Sequence, residues 1–211
     1  MVQFLLISHV FAGTTALVSA FSAISTKKGS KKHIILGKIY SLAMLYVVIG
    51  AIALSILRPN PFLLAIALFS GYLVWTGFRR ARYKKAQLNK IDKFTVLVGF
   101  LIVIILFSYG TLILIAGKSI GIVLLFFGLG LFIFTIEDFI AIRKETYTSK
   151  FRIANHLQRM LGGTIATITA VLVQQLVPRI QNTQIPELVI WLGPTLVLTP
   201  LITYWSKKIL E

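Results

Sequence analysis

Residues 94–142 read FTVLVGFLIVIILFSYGTLILIA, then GKS, then IGIVLLFFGLGLFIFTIEDFIAI. Two apolar runs, Phe94 to Ala116 and Ile120 to Ile142, are parted only by Gly117, Lys118 and Ser119. Each run is as long as a helix needs to cross the hydrocarbon core of a bilayer, about 20 residues at a rise of about 1.5 Å each. That core holds no water, so every backbone N–H and C=O must find its partner within the protein, and a predominantly apolar run of this length is read as a membrane helix. The stretch therefore predicts a pair of spans joined by a turn. Its acids, Glu137 and Asp138, stand just before the end of the second run.

On either side the pattern repeats. Upstream, spans are expected at 3–24, 33–57 and 61–78; downstream, at 153–177 and 188–205. The second span stops at Arg58-Pro59-Asn60-Pro61, where two prolines make a turn. The sixth closes at Pro178, and Pro194 and Pro200 are expected to kink the seventh. The first has no basic leader and no small-residue cleavage site, so it reads as a retained helix. The whole chain of 211 residues, 57% hydrophobic with a mean hydropathy of +0.87, is then one all-α, polytopic transmembrane bundle of about seven spans. Gly128, Gly130, Gly162 and Gly163 are expected where helices pack closely. Trp75, Trp191, Trp205, Tyr83 and Tyr204 fall near span ends, as interface anchors do.

The net charge of +16 invites a nucleic-acid reading, but its placement points to topology instead. Of the 22 Lys and Arg residues, only Arg58, Lys118 and Arg179 lie in the even-numbered connections, and Lys38 and Arg159 lie inside spans two and six. All the others cluster in connections one, three and five and in the tail. Basic connections stay in the cytoplasm, which predicts an outer N-terminus and an inner C-terminus, as an odd number of spans requires. No nucleic acid is expected as a partner; the bilayer is, with anionic lipid at the basic loops. The chain has no cysteine, which removes disulfides, thiolate metal sites, iron–sulfur clusters and cysteine nucleophiles.

Ionisable groups inside spans are costly and need individual accounts. Five share the cytoplasmic leaflet with His33, which stands at the mouth of span two: Lys38 in the same span, Glu137 and Asp138 late in span five, and His156 and Arg159 early in span six. His9 lies alone toward the outer side. Neutral imidazole is a common ligand for metals and haem, so His33 and His156 are candidate cofactor ligands, and His33, Asp138 and His156 together a candidate divalent metal site. Gly37, one turn after His33, leaves room for a flat macrocycle or for another helix. Three histidines divided two and one allow a single bis-histidine haem and exclude a two-haem path across the bilayer. The competing explanation is structural: Glu137 or Asp138 neutralises Arg159 or Lys38 between helices, and the histidines are interface residues.

Three functions are compatible with this pattern. The protein binds haem or a metal near the cytoplasmic face; or it is a small transporter or lipid-binding protein with Asp138, Lys38 and Arg159 along a polar path; or it is an accessory subunit of a membrane complex. No span but the seventh looks broken and no inverted repeat is visible, which weighs against transport. Whether it is an enzyme stays open.

Three short motifs occur in order along the chain: His9-Val-Phe-Ala-Gly13; Lys-Lys-His33-Ile-Ile-Leu-Gly37-Lys-Ile-Tyr40; and Asn155-His156-Leu-Gln-Arg159-Met160-Leu-Gly162, followed by Thr169-Ala170. With the acidic fifth span between the second and third, the chain resembles over nearly its full length the bacterial membrane proteins catalogued as the domain-of-unknown-function 2306 family. The resemblance implies a small helical protein of the bacterial inner membrane with no assigned reaction. It implies site roles for His9, His33, His156, Arg159 and Asp138, and none for Glu137. An intramembrane zinc hydrolase of the ceramidase or adiponectin-receptor type fits poorly, because the paired-histidine motif near the last helix is missing.

Overall fold

The computed structural model describes residues 2–82, 90–144, 148–180 and 186–211. Among these the chain forms seven α-helices and no strand: α1 Val2–Ser25, α2 Lys31–Leu57, α3 Pro61–Arg82, α4 Lys90–Ile115, α5 Gly121–Lys144, α6 Ser149–Ile180 and α7 Glu187–Leu210. Each is long and apolar enough to cross a membrane. Tyr83 lies outside the described residues.

Local chemistry sets the turns. Gly29 and Gly117 both take φ of 77°, a left-handed conformation that favours glycine, in the turns before α2 and α5. Ser30 caps α2 by accepting a hydrogen bond from the His33 amide at 3.2 Å, and Asn60 does the same for Leu63 at the start of α3, at 3.0 Å. Pro61 occupies the first turn of α3, where its missing N–H costs no intrahelical bond.

The helices outrun the apolar spans. α3 continues through Arg79, Arg80 and Arg82, α4 begins at Lys90, and α6 spans 32 residues, about 48 Å, against a hydrocarbon core of about 30 Å. Hydropathy marks where lipid tails lie, whereas helical hydrogen bonding continues wherever charged side chains reach water or a protein partner. Pro178 does not close α6 but sits inside its last turn, where it forfeits one backbone bond and the helix ends two residues later. α7 likewise runs through Pro194 and Pro200 and takes in the expected tail as far as Leu210.

Two buried clusters organise the bundle. On one side Ala16 and Ala20 of α1, Tyr40 and Met44 of α2 and Val74 of α3 pack together, with Met160 of α6 against them. On the other, Phe69, Tyr72 and Leu73 of α3 meet Ile102 and Leu106 of α4, Leu124, Phe127 and Leu131 of α5, and Trp191 of α7. α3 contributes to both and is the most buried helix, whereas α1 and α7 turn most of their surface outward. Gly162 and Gly163 of α6 face Leu73, Val74 and Tyr40, and Gly128 faces Leu106, as close-packing positions should. Gly130 does not: nothing lies within 4 Å of where its Cβ would stand. Trp191 also departs from the interface expectation. It is buried edge-on against Phe62, with ring centroids 5.2 Å apart, and its Nε1 donates to Glu187 at 3.3 Å.

The basic helix ends gather at one end of the bundle. Arg152, at the start of α6, donates to the carbonyl of Arg80 at 2.7 Å, and Lys150 donates to the carbonyl of Glu211 at 2.6 Å. The candidate site lies just inside this end.

Candidate functional site

Arg159 is a full two turns into α6 and has no exposed surface, and neither has Asp138 of α5. Burying either charge alone would cost several kcal/mol, so each must find a partner. Arg159 Nη1 donates to Asp138 Oδ2 at 2.8 Å, and its Nη2 donates to the carbonyl of Phe134 at 3.1 Å. The second carboxylate oxygen, Oδ1, stands 3.0 Å from Nη2 of Arg80 in α3. Arg80 in turn reaches Asp92 of α4 at 3.5 Å, and Asp92 also pairs with Arg79 at 2.9 Å. The result is a ladder of alternating charge, Arg79 and Arg80 to Asp92, and Arg80 to Asp138 to Arg159, that ties α3, α4, α5 and α6 together. Half-buried Glu137 interacts electrostatically with both Arg159 and Asp138. Three guanidiniums thus share two carboxylates, those of Asp92 and Asp138.

Glycines make the ladder possible. A Cβ on Gly77 would come within 2.9 Å of Met160 Sδ and 3.2 Å of Arg159 Cβ, so glycine lets α6 approach α3 where Arg159 enters. A Cβ on Gly99 would meet the Tyr72 ring at 2.7 Å and Thr135 Oγ1 at 2.8 Å, beside the same carboxylate.

The histidines form a second arrangement at the same end. His156 Nδ1 lies 2.8 Å from the carbonyl of Gly77, and His33 Nδ1 lies 3.0 Å from the carbonyl of Ala23. A carbonyl only accepts, so in both rings Nδ1 carries the proton, and in the neutral ring the lone pair sits on Nε2. Both rings stand near the basic helix ends, His33 in the first turn of α2 and His156 seven residues into α6. Their helices, α2 and α6, are bridged by side chains: Tyr40 donates to the carbonyl of Met160 at 3.3 Å, and Thr167 Oγ1 lies 3.2 Å from Met44 Sδ. Among the described residues nothing stands within 4 Å of where a Cβ on Gly37 would be, so of the two uses expected for this glycine a close helix contact is not made there.

The expected site residues therefore divide. His33 and His156 share one region, while Asp138 belongs to the ladder, its two oxygens taken by Arg80 and Arg159. Among the described residues no group of three or more His, Cys, Asp or Glu side chains is placed to hold a metal ion, so the three-ligand set of His33, Asp138 and His156 is not brought together. Of the anticipated neutralisations, Asp138 with Arg159 is the one made. Lys38 stands on an exposed face of α2 and joins neither arrangement. His9 sits apart against α2, its Nδ1 3.2 Å from where a Cβ on Gly50 would be.

Arg79, Arg80 and Asp92 escape the sequence reading, which assigns them to a cytoplasmic loop. The signal that could have found them is Asp92 itself, the single acid in a segment flanked by Lys90 and Lys93. Two shallow surface depressions lie elsewhere, one lined by Lys118 and Glu187 and the other by Lys93 and Arg143, and neither is lined by Lys38, Asp138 or Arg159. Comparison with protein-family models, curated proteins and solved structures gives no match for this chain.

Proposed function

We propose that this chain is a seven-span protein of the bacterial inner membrane, with its N-terminus outside and its basic end in the cytoplasm, and that His33 and His156 bind haem. The observation that carries the cofactor reading is the matched pair of Nδ1–H···O=C bonds. Histidines that ligate metals donate the other ring N–H to a carbonyl or carboxylate, which fixes the tautomer and aims the ligating nitrogen. Donor count selects haem over a bare ion. A structural zinc site takes four protein ligands, and with Asp138 committed to two arginines only the imidazoles are left. Haem would bring its own macrocycle nitrogens to the iron, so His33 and His156 alone would hold it. Bound there, haem would supply one-electron chemistry that this cysteine-free chain lacks. The chain's own part is to hold two Nε2 lone pairs on separate helices, with open space beside Gly37. The charge distribution supports the orientation, and the motif likeness to the domain-of-unknown-function 2306 family supports the bacterial inner membrane.

The test is an absorption spectrum and metal analysis of protein purified in mild detergent from a haem-sufficient host. A haem spectrum is expected, lost in His33→Ala and His156→Ala and kept in His9→Ala. A colourless, metal-free preparation overturns the reading.

The charge ladder favours a second reading, a structural or accessory subunit. Its buried pairs tie four helices to one another. Under that reading, alanine at all three histidines leaves the phenotype of a complemented knockout strain at wild type.

A further inference from the structure

At the basic end, the start of α4 and the end of α5 leave a depression of about 390 Å³ lined by Lys93, Val96, Phe139, Ile142 and Arg143. Its chemistry is divided. Val96, Phe139 and Ile142 form an apolar wall, and Lys93 and Arg143 are exposed cations at its rim. Phe139 holds Arg143, whose guanidinium carbon lies 5.2 Å from the ring centroid, and Phe139 packs edge-on against Phe100 at 6.1 Å. Among the described residues no ion pair engages Lys93 or Arg143, whereas the neighbouring Arg79, Arg80 and Arg159 are all spent on carboxylates.

We infer that this notch is a binding site for one anionic phospholipid, its headgroup phosphate held between Lys93 and Arg143 and its upper acyl chain laid on Val96, Phe139 and Ile142. The inference is independent of the histidine site. Charge selects the ligand. Two cations that pair with no carboxylate among the described residues face outward at the level where helix ends meet the interface, and basic side chains there favour anionic lipid by roughly 1 kcal/mol each. The apolar wall selects a lipid over free phosphate, because a phosphate ion has nothing to cover it.

The test uses full-length protein in detergent, titrated with phosphatidylglycerol or phosphatidylcholine and read by native mass spectrometry. One phosphatidylglycerol is expected to stay bound where phosphatidylcholine does not. The double variant Lys93→Gln/Arg143→Gln should weaken it by about thirtyfold, the equivalent of about 2 kcal/mol. The variant Lys144→Gln/Lys150→Gln, with the same charge loss outside the notch, should retain it. Ile142→Trp, which fills the wall and keeps both cations, should also lose the lipid. All substituted residues are partly or fully exposed, and circular dichroism confirms the fold of each variant. Equal loss in the two double variants, equal binding of phosphatidylcholine, full retention by Ile142→Trp, or displacement by millimolar inorganic phosphate would each overturn the proposal.

Discussion

Arg159 and Asp138 carry opposite charges in a place where neither could stand alone, and their value to the protein is better tested by removing one than by counting contacts. A buried pair replaced by apolar residues of similar volume is often neutral, whereas breaking one partner leaves an uncompensated charge and costs about 3–5 kcal/mol. Asp138→Ala strands the fully buried Arg159 and leaves Arg80 its contact with Asp92 at 3.5 Å, whereas Arg159→Ala strands Asp138 on one side only, since Arg80 still reaches its Oδ1 at 3.0 Å. Both single variants should therefore unfold well below the wild type when circular dichroism follows thermal denaturation in detergent, with Asp138→Ala the worse. The double variant Asp138→Leu/Arg159→Leu should recover much of the loss. A double variant as unstable as the sum of its singles would show that the two side chains act independently. This pair was within reach of the sequence, because a buried arginine in span six and an acid at similar depth in span five need each other. Arg80 and Asp92 were not. They sit in polar sequence flanking the spans, and only the lateral arrangement of helices shows that Arg80 turns inward to Asp138 while Ala81 and Arg82 stay exposed.

Among the helices, closeness is set by single atoms. A Cβ on Gly121 would fall 2.5 Å from the carbonyl oxygen of Gly110, a backbone atom that cannot rotate away, so α4 and α5 meet there through two glycines. Gly121→Ala should force the two helices apart near their turn and destabilise by about 1–3 kcal/mol, as overpacked sites do. Gly130→Ala, on the same helix with nothing within 4 Å, should instead stabilise by up to about 1 kcal/mol, because alanine loses less backbone freedom in a helix. Melting temperatures of the two variants in one detergent decide this, and equal shifts would show that the spacing of α4 and α5 is not held at Gly110 and Gly121. The sequence treats Gly128 and Gly130 alike, since both lie in one apolar run. Two residues on a helix are about 200° apart, however, so one packs on Leu106 while the other faces outward. Helix existence follows from the length of an apolar run, but which face is inward does not when every face is apolar, and the same ambiguity hid the burial of Trp191.

For the molecule as a whole, the collected basic ends turn a statement about loops into one about a surface. Lys150 bonded to the carbonyl of Glu211, and Arg152 to that of Arg80, place the starts and ends of three helices at one level. The opposite end carries Arg58 and Lys118 with little else that is basic. The positive-inside bias underlies the proposal that the first end faces the cytoplasm, and the absence of cysteine from the chain makes that orientation open to direct chemical measurement. Single substitutions Lys28→Cys, Lys118→Cys and Lys207→Cys each introduce the only thiol, at a connection or a helix end. In intact cells a membrane-impermeant maleimide should label Lys118→Cys and spare the other two, which should react only after the inner membrane is opened. Labelling of Lys28→Cys and Lys207→Cys in intact cells with Lys118→Cys spared would invert the topology and move the histidine pair, the charge ladder and the Lys93–Arg143 notch to the outer leaflet. Reactivity of Lys28→Cys and Lys207→Cys on opposite sides would break the odd span count on which the orientation rests.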